Sequence, residues 1–257
     1  GFDEFFVGPE LEYFYFPSDS EPVPLDHSGY FDVLPLDSLS SCRKKSFATL
    51  RGMGIDVDSS HHEVSPSQQE LGLRYTDALQ MADKLMIARA VIKEVAREHG
   101  LFASFMPKPL SGHNGSGMHV HASLFANGKN SFYSADDPYN LSDTAKGYIA
   151  GLLRHAREIT AVTNQWINSY KRLVPGYEAP VYVCWGRRNR SALVRVPAFK
   201  PHHTRACRAE FRSPDPAANP YLLFAVMLAA GLEGISEKYV PPAPVEDDIY
   251  GLSLRHQ

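Results

Sequence analysis

Acidic and imidazole side chains recur at four separated places in this sequence. In the run GPELEYFYF, Glu10 and Glu12 stand two residues apart among Leu, Tyr and Phe. Side chains two positions apart on a β-strand share a face, so both carboxylates would lie about 7 Å apart on an apolar surface. Two such anions repel each other and lose hydration unless a cation lies near them. The other three places supply His61, His62, Glu63 and Glu70, then His119 and His121 in GSGMHVH, and then Glu210 in RAEFR.

This set of side chains favours divalent metal ions. Carboxylate oxygens suit Mg²⁺ or Mn²⁺, and five carboxylates with a histidine exceed what one ion needs. We therefore predict two ions, the usual arrangement in sites that handle phosphoryl groups. A zinc hydrolase built on HHE and HVH is an alternative, but the excess of carboxylates argues against it. Any one of these acids alone is more often a solvated residue, so the prediction depends on their coincidence.

Arginines are dense between residues 172 and 212. Several lie in or beside apolar strand patterns, where a guanidinium group needs an anionic partner such as a carboxylate or a phosphate. A solvated basic surface or a nucleic-acid contact is the alternative. Metal ions on one wall and arginines on another would bind a polyphosphate and a carboxylate together. The arginines are Arg172, Arg187, Arg188, Arg190, Arg195, Arg208 and Arg212.

Two glycine-containing loops accompany these groups. The glycines of HNGSG would let backbone N–H groups approach an anion closely, although such loops are common. The segment RLVPGYEAPV carries one acid, Glu178. It is either a plain surface turn or a lid that places a carboxylate over the site.

The pattern of elements that must position these residues indicates an α+β fold. Strands are predicted over 2–16, 101–106, 117–125, 181–185, 192–196 and 208–212, with a short helix end and a strand in 47–58. Helices are predicted over 70–99, 142–166 and 219–238, and a loop over 17–46. Ser142 and Asn219 are suitable N-caps and Gly100 a suitable C′ residue. Long helices without strict βαβ alternation favour a mostly antiparallel sheet.

Composition limits the class of partner. The chain has 257 residues, 44% of them hydrophobic, with a net charge of −3. This charge gives no reason to expect a nucleic acid or an anionic membrane as partner. The three cysteines are too few for a disulfide framework or a zinc cluster, which favours a cytoplasmic location. The sequence begins without methionine on a strand-like run, so we expect it to be a piece of something longer.

Six segments in order resemble the signature segments of the catalytic domain of type I glutamine synthetases, the bacterial and archaeal class. They are GPELEYF, HHEVSPSQQE, KPLSGHNGSGMHVHASLF, RLVPGYEAPV, NRSALVRVP and EFRSPDPAANPY. The resemblance covers nearly the whole chain, 1–257, and implies a curved, mostly antiparallel sheet flanked by long helices. It implies that glutamate attacks the γ-phosphate of ATP and that ammonia then displaces phosphate from γ-glutamyl phosphate, with Mg²⁺ or Mn²⁺ at two sites.

The resemblance also implies a role for each matching residue. Glu12, Glu63 and Glu70 match the ligands of the metal nearer the substrate, and Glu10, His119 and Glu210 those of the metal nearer the nucleotide. Tyr75, His121, Ser123, Arg195 and Arg208 match ATP-binding positions. Asn114, Gly115, Arg172, Arg190 and Arg212 match glutamate-binding positions. Glu178, Arg190 and Arg195 match catalytic positions, Glu178 being the acid of the flap, and Tyr30 resembles a residue of the ammonium pocket.

The chain departs from the family pattern in three respects. Ser67 stands where glycine is common. Family members carry an N-terminal β-grasp domain, which completes the neighbouring active site in a ring-shaped homo-oligomer, and they continue into further helices. We therefore expect weakened binding and low turnover from this chain alone. Ligation of another amine, such as a polyamine or an alkylamine, and a catalytically silent homologue are the alternatives to glutamine synthesis.

Overall fold

A computed structural model describes residues 1–200 and 202–247, and within them one open sheet is flanked by helices. The strands are β1 (Glu4–Phe16), β2 (Val57–His62), β3 (Gln68–Leu73), β4 (Thr76–Asp77), β5 (Phe102–Ser104), β6 (Met118–Ala126), β7 (Lys129–Asn130), β8 (Tyr182–Gly186), β9 (Ala192–Arg195) and β10 (Ala209–Phe211). The helices are α1 (Ser40–Gly52), α2 (Ala78–Glu98), α3 (Asp143–Thr163), α4 (Ile167–Arg172) and α5 (Pro220–Ser236), with a 3₁₀ turn at Thr204–Ala206. The predicted α+β fold is confirmed.

The sheet has the order β2-β3-β1-β6-β10-β9-β8, and its pairs are antiparallel except for β8 with β9. Its register brings distant acids side by side. Glu12 on β1 pairs with Glu70 on β3, which in turn pairs with His61 on β2. Glu10 pairs with His119 on the other neighbour of β1, strand β6. Antiparallel pairing therefore assembles two groups of chemically active side chains on either side of β1.

Strand β1 separates core from site by simple alternation. Its residues Phe5, Val7, Leu11, Tyr13 and Tyr15 are buried in the same hydrophobic core as residues of α2, α3 and α5. Because side chains alternate between the two faces of a strand, the even positions 10 and 12 face away from that core. The predicted placement of both carboxylates on one face is confirmed.

Helices α3 and α5 pack together closely enough to fix the back of the sheet. A Cβ on Gly151 would overlap the carbonyl oxygen of Ala230, and a Cβ on Gly234 would overlap that of Gly147. Glycine at these positions allows the two backbones to approach. The ring of Tyr148 on α3 fills the space beside Gly231 on α5, so the glycines let both the backbones and this ring pack closely.

The prediction of a helix starting at residue 70 is wrong, and Glu70 lies on strand β3. Leu71 and Leu73 repeat at the strand period of two, and both are buried. The helix starts later because the Asp77 side chain accepts hydrogen bonds from the N–H groups of Leu79 and Gln80, which makes Asp77 the N-cap. The predicted loop over 17–46 is also too long, since α1 begins at Ser40.

Other local predictions are confirmed. Ser142 caps α3 by accepting from Ala145 N–H, and Asn219 caps α5 with Pro220 as the first helical residue. Gly100 follows α2 with a φ of +70°, a conformation typical of C′ glycine. No helix in 1–200 or 202–247 combines the length and hydropathy that crossing a bilayer requires.

Candidate active site

Two adjoining cavities open on the polar face of the sheet, with volumes of about 520 Å³ and about 320 Å³. Glu10 and Ser59 line both of them. The larger cavity is lined by the predicted residues Glu10, Glu12, Tyr30, Glu63, Glu70, Asn114, Gly115, His119, Arg172, Glu178, Arg190, Arg195 and Arg212. The smaller is lined by Glu10, Tyr75, His121, Ser123 and Arg208. The structure thus brings the predicted site residues together at one place, with Glu210 buried behind the wall.

Glu10, His119 and Glu210 form the first acidic group, called here the histidine cluster. Nδ1 of His119 lies 3.2 Å from a carboxylate oxygen of Glu10 and 3.7 Å from one of Glu210. Two arginines hold Glu210, with Arg195 Nε donating at 2.6 Å to one oxygen and Arg212 donating to the other. Burial acts to raise the pKa of Glu210, but the charge of Arg212 together with those of the nearby histidines and Arg195 outweighs it, and the pKa falls to about 2.

Two histidines give Glu10 a similar environment. His121 accepts at Nδ1 from Arg208 Nε at 3.1 Å, so its proton is on Nε2 and is donated to Glu10 at 2.8 Å. Burial acts to raise the pKa of Glu10, but hydrogen bonds and charge from His119 and His121 lower it well below its usual range. Burial and the charge of Arg212 lower the pKa of His119 to about 4. At neutral pH the cluster therefore offers ionised carboxylates and a neutral imidazole, the states in which they bind metal ions.

Glu12, Glu63 and Glu70 form the second acidic group, called here the carboxylate cluster. His61 lies 3.2 Å from Glu70 through Nε2 and 3.5 Å from Glu63 through Nδ1. Burial and the charges of Glu63 and Glu70 raise the pKa of Glu12 well above its usual range. Burial and the charge of Glu70 raise the pKa of Glu63 to about 7. These carboxylates therefore hold their protons to a higher pH than usual, because burial disfavours their charged forms and their mutual repulsion adds to this effect.

Two uncharged hydrogen-bond donors, a backbone N–H and a glutamine side chain, orient the carboxylate of Glu12. Its Oε2 accepts hydrogen bonds from the backbone N–H of Gly117 at 2.9 Å and from Nε2 of Gln68 at 3.0 Å. A Cβ on Gly117 would press against the guanidinium of Arg172 and the ring of His119, so glycine is required for this close approach. Gln68 also donates to the carbonyl of Gly115 at 3.1 Å and so links Glu12 to that loop.

The arginines do not all reach the cavities. Arg172 is buried at the end of α4 and donates to the carbonyl of Ser213 at 2.7 Å, and Arg190 lies 5.6 Å from the ring centre of Tyr30. Arg187 and Arg188, by contrast, lie outside both walls, and their backbone N–H groups donate to the Glu246 carboxylate at 2.9 Å. Glu178 has a φ of +55° in the loop that forms one rim of the larger cavity.

Comparison with known proteins identifies the family. The chain matches the family described as "Glutamine synthetase, catalytic domain" over residues 1–257. It is 56% identical over 252 residues to the glutamine synthetase of Mycobacterium tuberculosis, a match that covers 96% of this chain and 56% of that protein. The chain belongs to the glutamine synthetase catalytic-domain family. The resemblance found in the six sequence segments is confirmed, and the chain spans a little over half the length of the curated glutamine synthetases it matches.

Solved structures share the fold, and one of them is described as a glutamine synthetase. One, described as "CryoEM Plasmodium falciparum glutamine synthetase", superposes with a TM-score of 0.89 at 34% identity and covers 96% of this chain and 54% of that one. Another, described as "GmaS/ADP complex-Conformation 1", has a TM-score of 0.86 at 35% identity and covers 96% of this chain and 58% of that one. The glutamine synthetase fold in these residues is therefore matched across nearly the whole described chain.

Several residues in or beside the two cavities received no specific role from the sequence, although His61 stood among the imidazoles noted there. His61 contacts two members of the carboxylate cluster, Gln68 donates to Glu12, and Asp58 lines the smaller cavity. A signal for Gln68 exists, since it stands two residues before Glu70 and shares its strand face. His61 stands directly before another histidine, so strand alternation alone does not show which of the two faces the acids.

Proposed function

We propose that this chain is the catalytic part of a glutamate–ammonia ligase, which forms glutamine, ADP and phosphate from glutamate, ATP and ammonia through γ-glutamyl phosphate. The observation that carries the proposal is the pair of acidic clusters at the junction of two cavities, with Glu10 lining both. Such a junction allows a nucleotide in one cavity to present its terminal phosphate to a substrate in the other. Curated relatives named glutamine synthetase support ammonia as the amine.

Both clusters fit divalent metal ions. Glu10, His119 and Glu210 each offer a ligand atom, and these atoms lie within 4.8 Å of one another. At the carboxylate cluster, the ligand atoms that lie within 4.8 Å of one another belong to His61, Glu63 and Glu70. Glu12 adds a further acid, whose repulsion with Glu63 and Glu70 a cation would relieve. We assign one Mg²⁺ or Mn²⁺ to Glu10, His119 and Glu210, and a second to Glu12, Glu63 and Glu70. When bound, such ions neutralise the charge of the phosphate groups.

The smaller cavity fits the nucleotide of ATP. Tyr75 is half exposed there and packs edge-on against Phe6 at 5.6 Å between ring centres, which leaves aromatic surface for an adenine ring. Arg208, His121 and Ser123 lie along the same wall towards Glu10. The description of one structural relative names ADP, which supports a nucleotide as a ligand of this fold. Arg208 and Arg195 would contact phosphate groups.

The larger cavity fits glutamate and ammonia. The backbone groups of Asn114 and Gly115 and the guanidinium groups of Arg172, Arg190 and Arg212 surround it and would bind the substrate carboxylates. Arg190 and Arg195 would stabilise charge on the transferring phosphoryl group. Glu178 on the rim would accept a proton from ammonium, beside Tyr30.

Isotope exchange tests this reaction directly. ATP labelled with ¹⁸O at the β,γ-bridge should scramble its label only when glutamate is present, because γ-glutamyl phosphate forms reversibly. ¹⁵N-ammonium should then appear in the glutamine amide, and ethylamine should not replace it. Hydrolysis of ATP without glutamate, or ligation of ethylamine but not of ammonia, would contradict the proposal.

We further propose that residues 1–257 form one catalytic domain within a cytoplasmic homo-oligomer. The family membership supports this, since the resemblance of the six segments implies a ring of subunits. Light scattering on the purified protein at several concentrations measures the assembly. A monomer at every concentration would contradict it.

A further inference from the structure

Asp26 is a buried carboxylate that the proposed reaction does not use. It lies before α1 in the segment that carries Tyr30, and only 8% of it is exposed. One oxygen accepts hydrogen bonds from the backbone N–H of Ser67 at 2.7 Å and of Ser28 at 3.3 Å. The other lies 3.2 Å from Nε2 of His62. One side chain thus ties its own loop to the end of strand β2 and to the turn between β2 and β3.

The hairpin turn is held from the same loop by a second contact. The Oγ of Ser67 accepts a hydrogen bond from Leu25 N–H at 2.6 Å, while the N–H of Ser67 is held by Asp26. Ser67 has a φ of +63°, a backbone conformation that costs free energy for a residue with a Cβ. The N–H and the hydroxyl of Ser67 are therefore both bound by residues outside the turn, which stabilise this conformation.

The turn carries Glu63, a member of the carboxylate cluster, and Gln68, which donates to another member, Glu12. Glu63 enters it and Gln68 leaves it, and Glu63 N–H bonds to the carbonyl of Gln68 at 2.8 Å. Nδ1 of His62 donates to the carbonyl of Glu63 at 2.7 Å, so the imidazole that contacts Asp26 also fixes the backbone of Glu63. Asp26 and His62 are not among the residues lining either cavity. Asp26 therefore acts on the site indirectly, and its hydrogen bonds to Ser67 and His62 lead to this turn.

The same loop continues into the wall of the larger cavity. Phe31 N–H bonds to the carbonyl of His62 at 3.0 Å, and the Phe31 ring stacks on His61 at 4.3 Å between ring centres. The segment that carries Tyr30 therefore contacts the β2–β3 hairpin on both sides of Tyr30, through Asp26 before it and through Phe31 after it.

We propose that Asp26 is a positioning residue that sets the place of Glu63, and with it the strength of metal binding at the carboxylate cluster. The inference depends on the proposed function, because it assigns a metal ion to that cluster. Asp26 acts through hydrogen bonds to Ser67 and His62 and touches no substrate. The histidine cluster lies across β1 from the turn, so its ion should be insensitive to Asp26.

The test is titration of Mn²⁺ into the metal-free protein, with wild type, Asp26→Ala, Asp26→Asn and His27→Ala compared. Asp26→Ala should weaken binding at the carboxylate cluster about tenfold, the usual loss when a partner that orients a ligand is removed. Asp26→Asn should stay close to wild type, because its amide oxygen can accept from Ser67 and its NH₂ can donate to His62. His27→Ala changes an exposed neighbour and should have no effect.

The Glu12→Ala background separates the two ions. If that substitution removes the ion of the carboxylate cluster, adding Asp26→Ala should leave the remaining ion unchanged. Hydrogen exchange at the amides of Leu25 and Ser67 should rise in Asp26→Ala and not in Asp26→Asn, which checks that the contacts were broken.

Each other result has a definite meaning. Unchanged binding of both ions in Asp26→Ala, with faster exchange at Ser67, would overturn the inference and leave the proposed function intact. Equal weakening of both ions would show a general structural role and would also overturn it. Failure of Asp26→Asn to retain affinity would contradict positioning by hydrogen bonds. A wild-type protein that binds no Mn²⁺ would overturn the proposed function itself.

Discussion

The two acidic clusters use the same residue types but differ in what balances their charge. In the histidine cluster, Glu210 lies between two arginines, Arg195 and Arg212, and its pKa is lowered to about 2. In the carboxylate cluster, Glu63 and Glu70 share a single imidazole, and burial and repulsion raise the pKa of Glu63 to about 7. Protein cations balance the negative charge of the histidine cluster, whereas they balance the negative charge of the carboxylate cluster only in part.

This difference assigns different properties to the two metal sites. An ion at the histidine cluster meets ligands that are already in their binding states. An ion at the carboxylate cluster must displace protons, but it also relieves the repulsion between the carboxylates, which destabilises the metal-free fold. The second site should therefore respond to pH and should contribute more to stability when it is filled.

The largest expected effect comes from one isosteric substitution made in each cluster. Glu210→Gln should lower the free energy of unfolding by about 3 kcal/mol, because it leaves two arginines beside a buried neutral group. Glu70→Gln should raise it by about 1 kcal/mol at pH 8, because it removes one of several repelling anions. Urea denaturation of the metal-free proteins measures both. Destabilisation of similar size in the two variants would remove the distinction between the clusters.

The pH dependence of stability should have opposite signs in the two clusters. The folded protein holds the proton of Glu63 more tightly than the unfolded chain does, so its contribution to the free energy of unfolding falls as the pH rises from about 4.5 to about 7. Glu210 has a lowered pKa, so its contribution is present above about 4.5 and is lost as the pH falls towards about 2. Denaturation in EDTA across this range, with Glu63→Gln as comparison, should show that the variant lacks the first slope. An unchanged slope would mean that Glu63 has an ordinary pKa.

Metal affinity at the carboxylate cluster should fall at least about tenfold for each pH unit below 7, because the proton of Glu63 must leave before the ion binds and the pKa values of Glu12 and Glu70 are raised as well. The histidine cluster should change little between pH 6 and 8, since the pKa values of Glu210 and His119 are about 2 and about 4. Calorimetry of Mn²⁺ binding in buffers of different ionisation enthalpy counts the protons released. Equal release at both sites would contradict the comparison.

A smaller effect should follow from removing the neutral donor to Glu12. Gln68→Leu takes away the hydrogen bond at 3.0 Å and should weaken Mn²⁺ binding at the carboxylate cluster by about tenfold or less. Gln165→Leu is the matched control, since this glutamine is exposed and donates to Ala217 outside both cavities. An effect of the control equal to that of Gln68→Leu would indicate a non-specific change.

The sequence predicts which residues carry the chemistry of the site better than it predicts how the strands bring those residues together. Alternation along β1 was enough to place Glu10 and Glu12 on one face, because that rule depends only on local geometry. The position of Glu70 was wrong, since Leu71 and Leu73 fit a strand and the start of a helix equally well until the pairing with β1 is known. The part played by His61 depends on its register opposite Glu70, and register is not visible in a single strand.

Long-range contacts explain the remaining differences. Arg187 and Arg188 stand in the same dense run as Arg190 and Arg195, yet they lie outside the cavities, where Glu246 accepts from their backbone. The hydrogen bonds of Asp26 to Ser67 and His62 join residues far apart in the chain, so its segment appeared to be an ordinary polar loop. Such contacts follow from the folded arrangement rather than from local pattern.

The most direct test of the account is a calorimetric titration of Mn²⁺ into the metal-free protein at pH 8, with wild type and Glu12→Ala compared. If each cluster binds one ion, the wild type should bind two ions per chain. It predicts a single ion in Glu12→Ala, bound with the affinity of the histidine cluster. Two ions in both proteins, or none in the wild type, would contradict the assignment of one metal ion to each cluster.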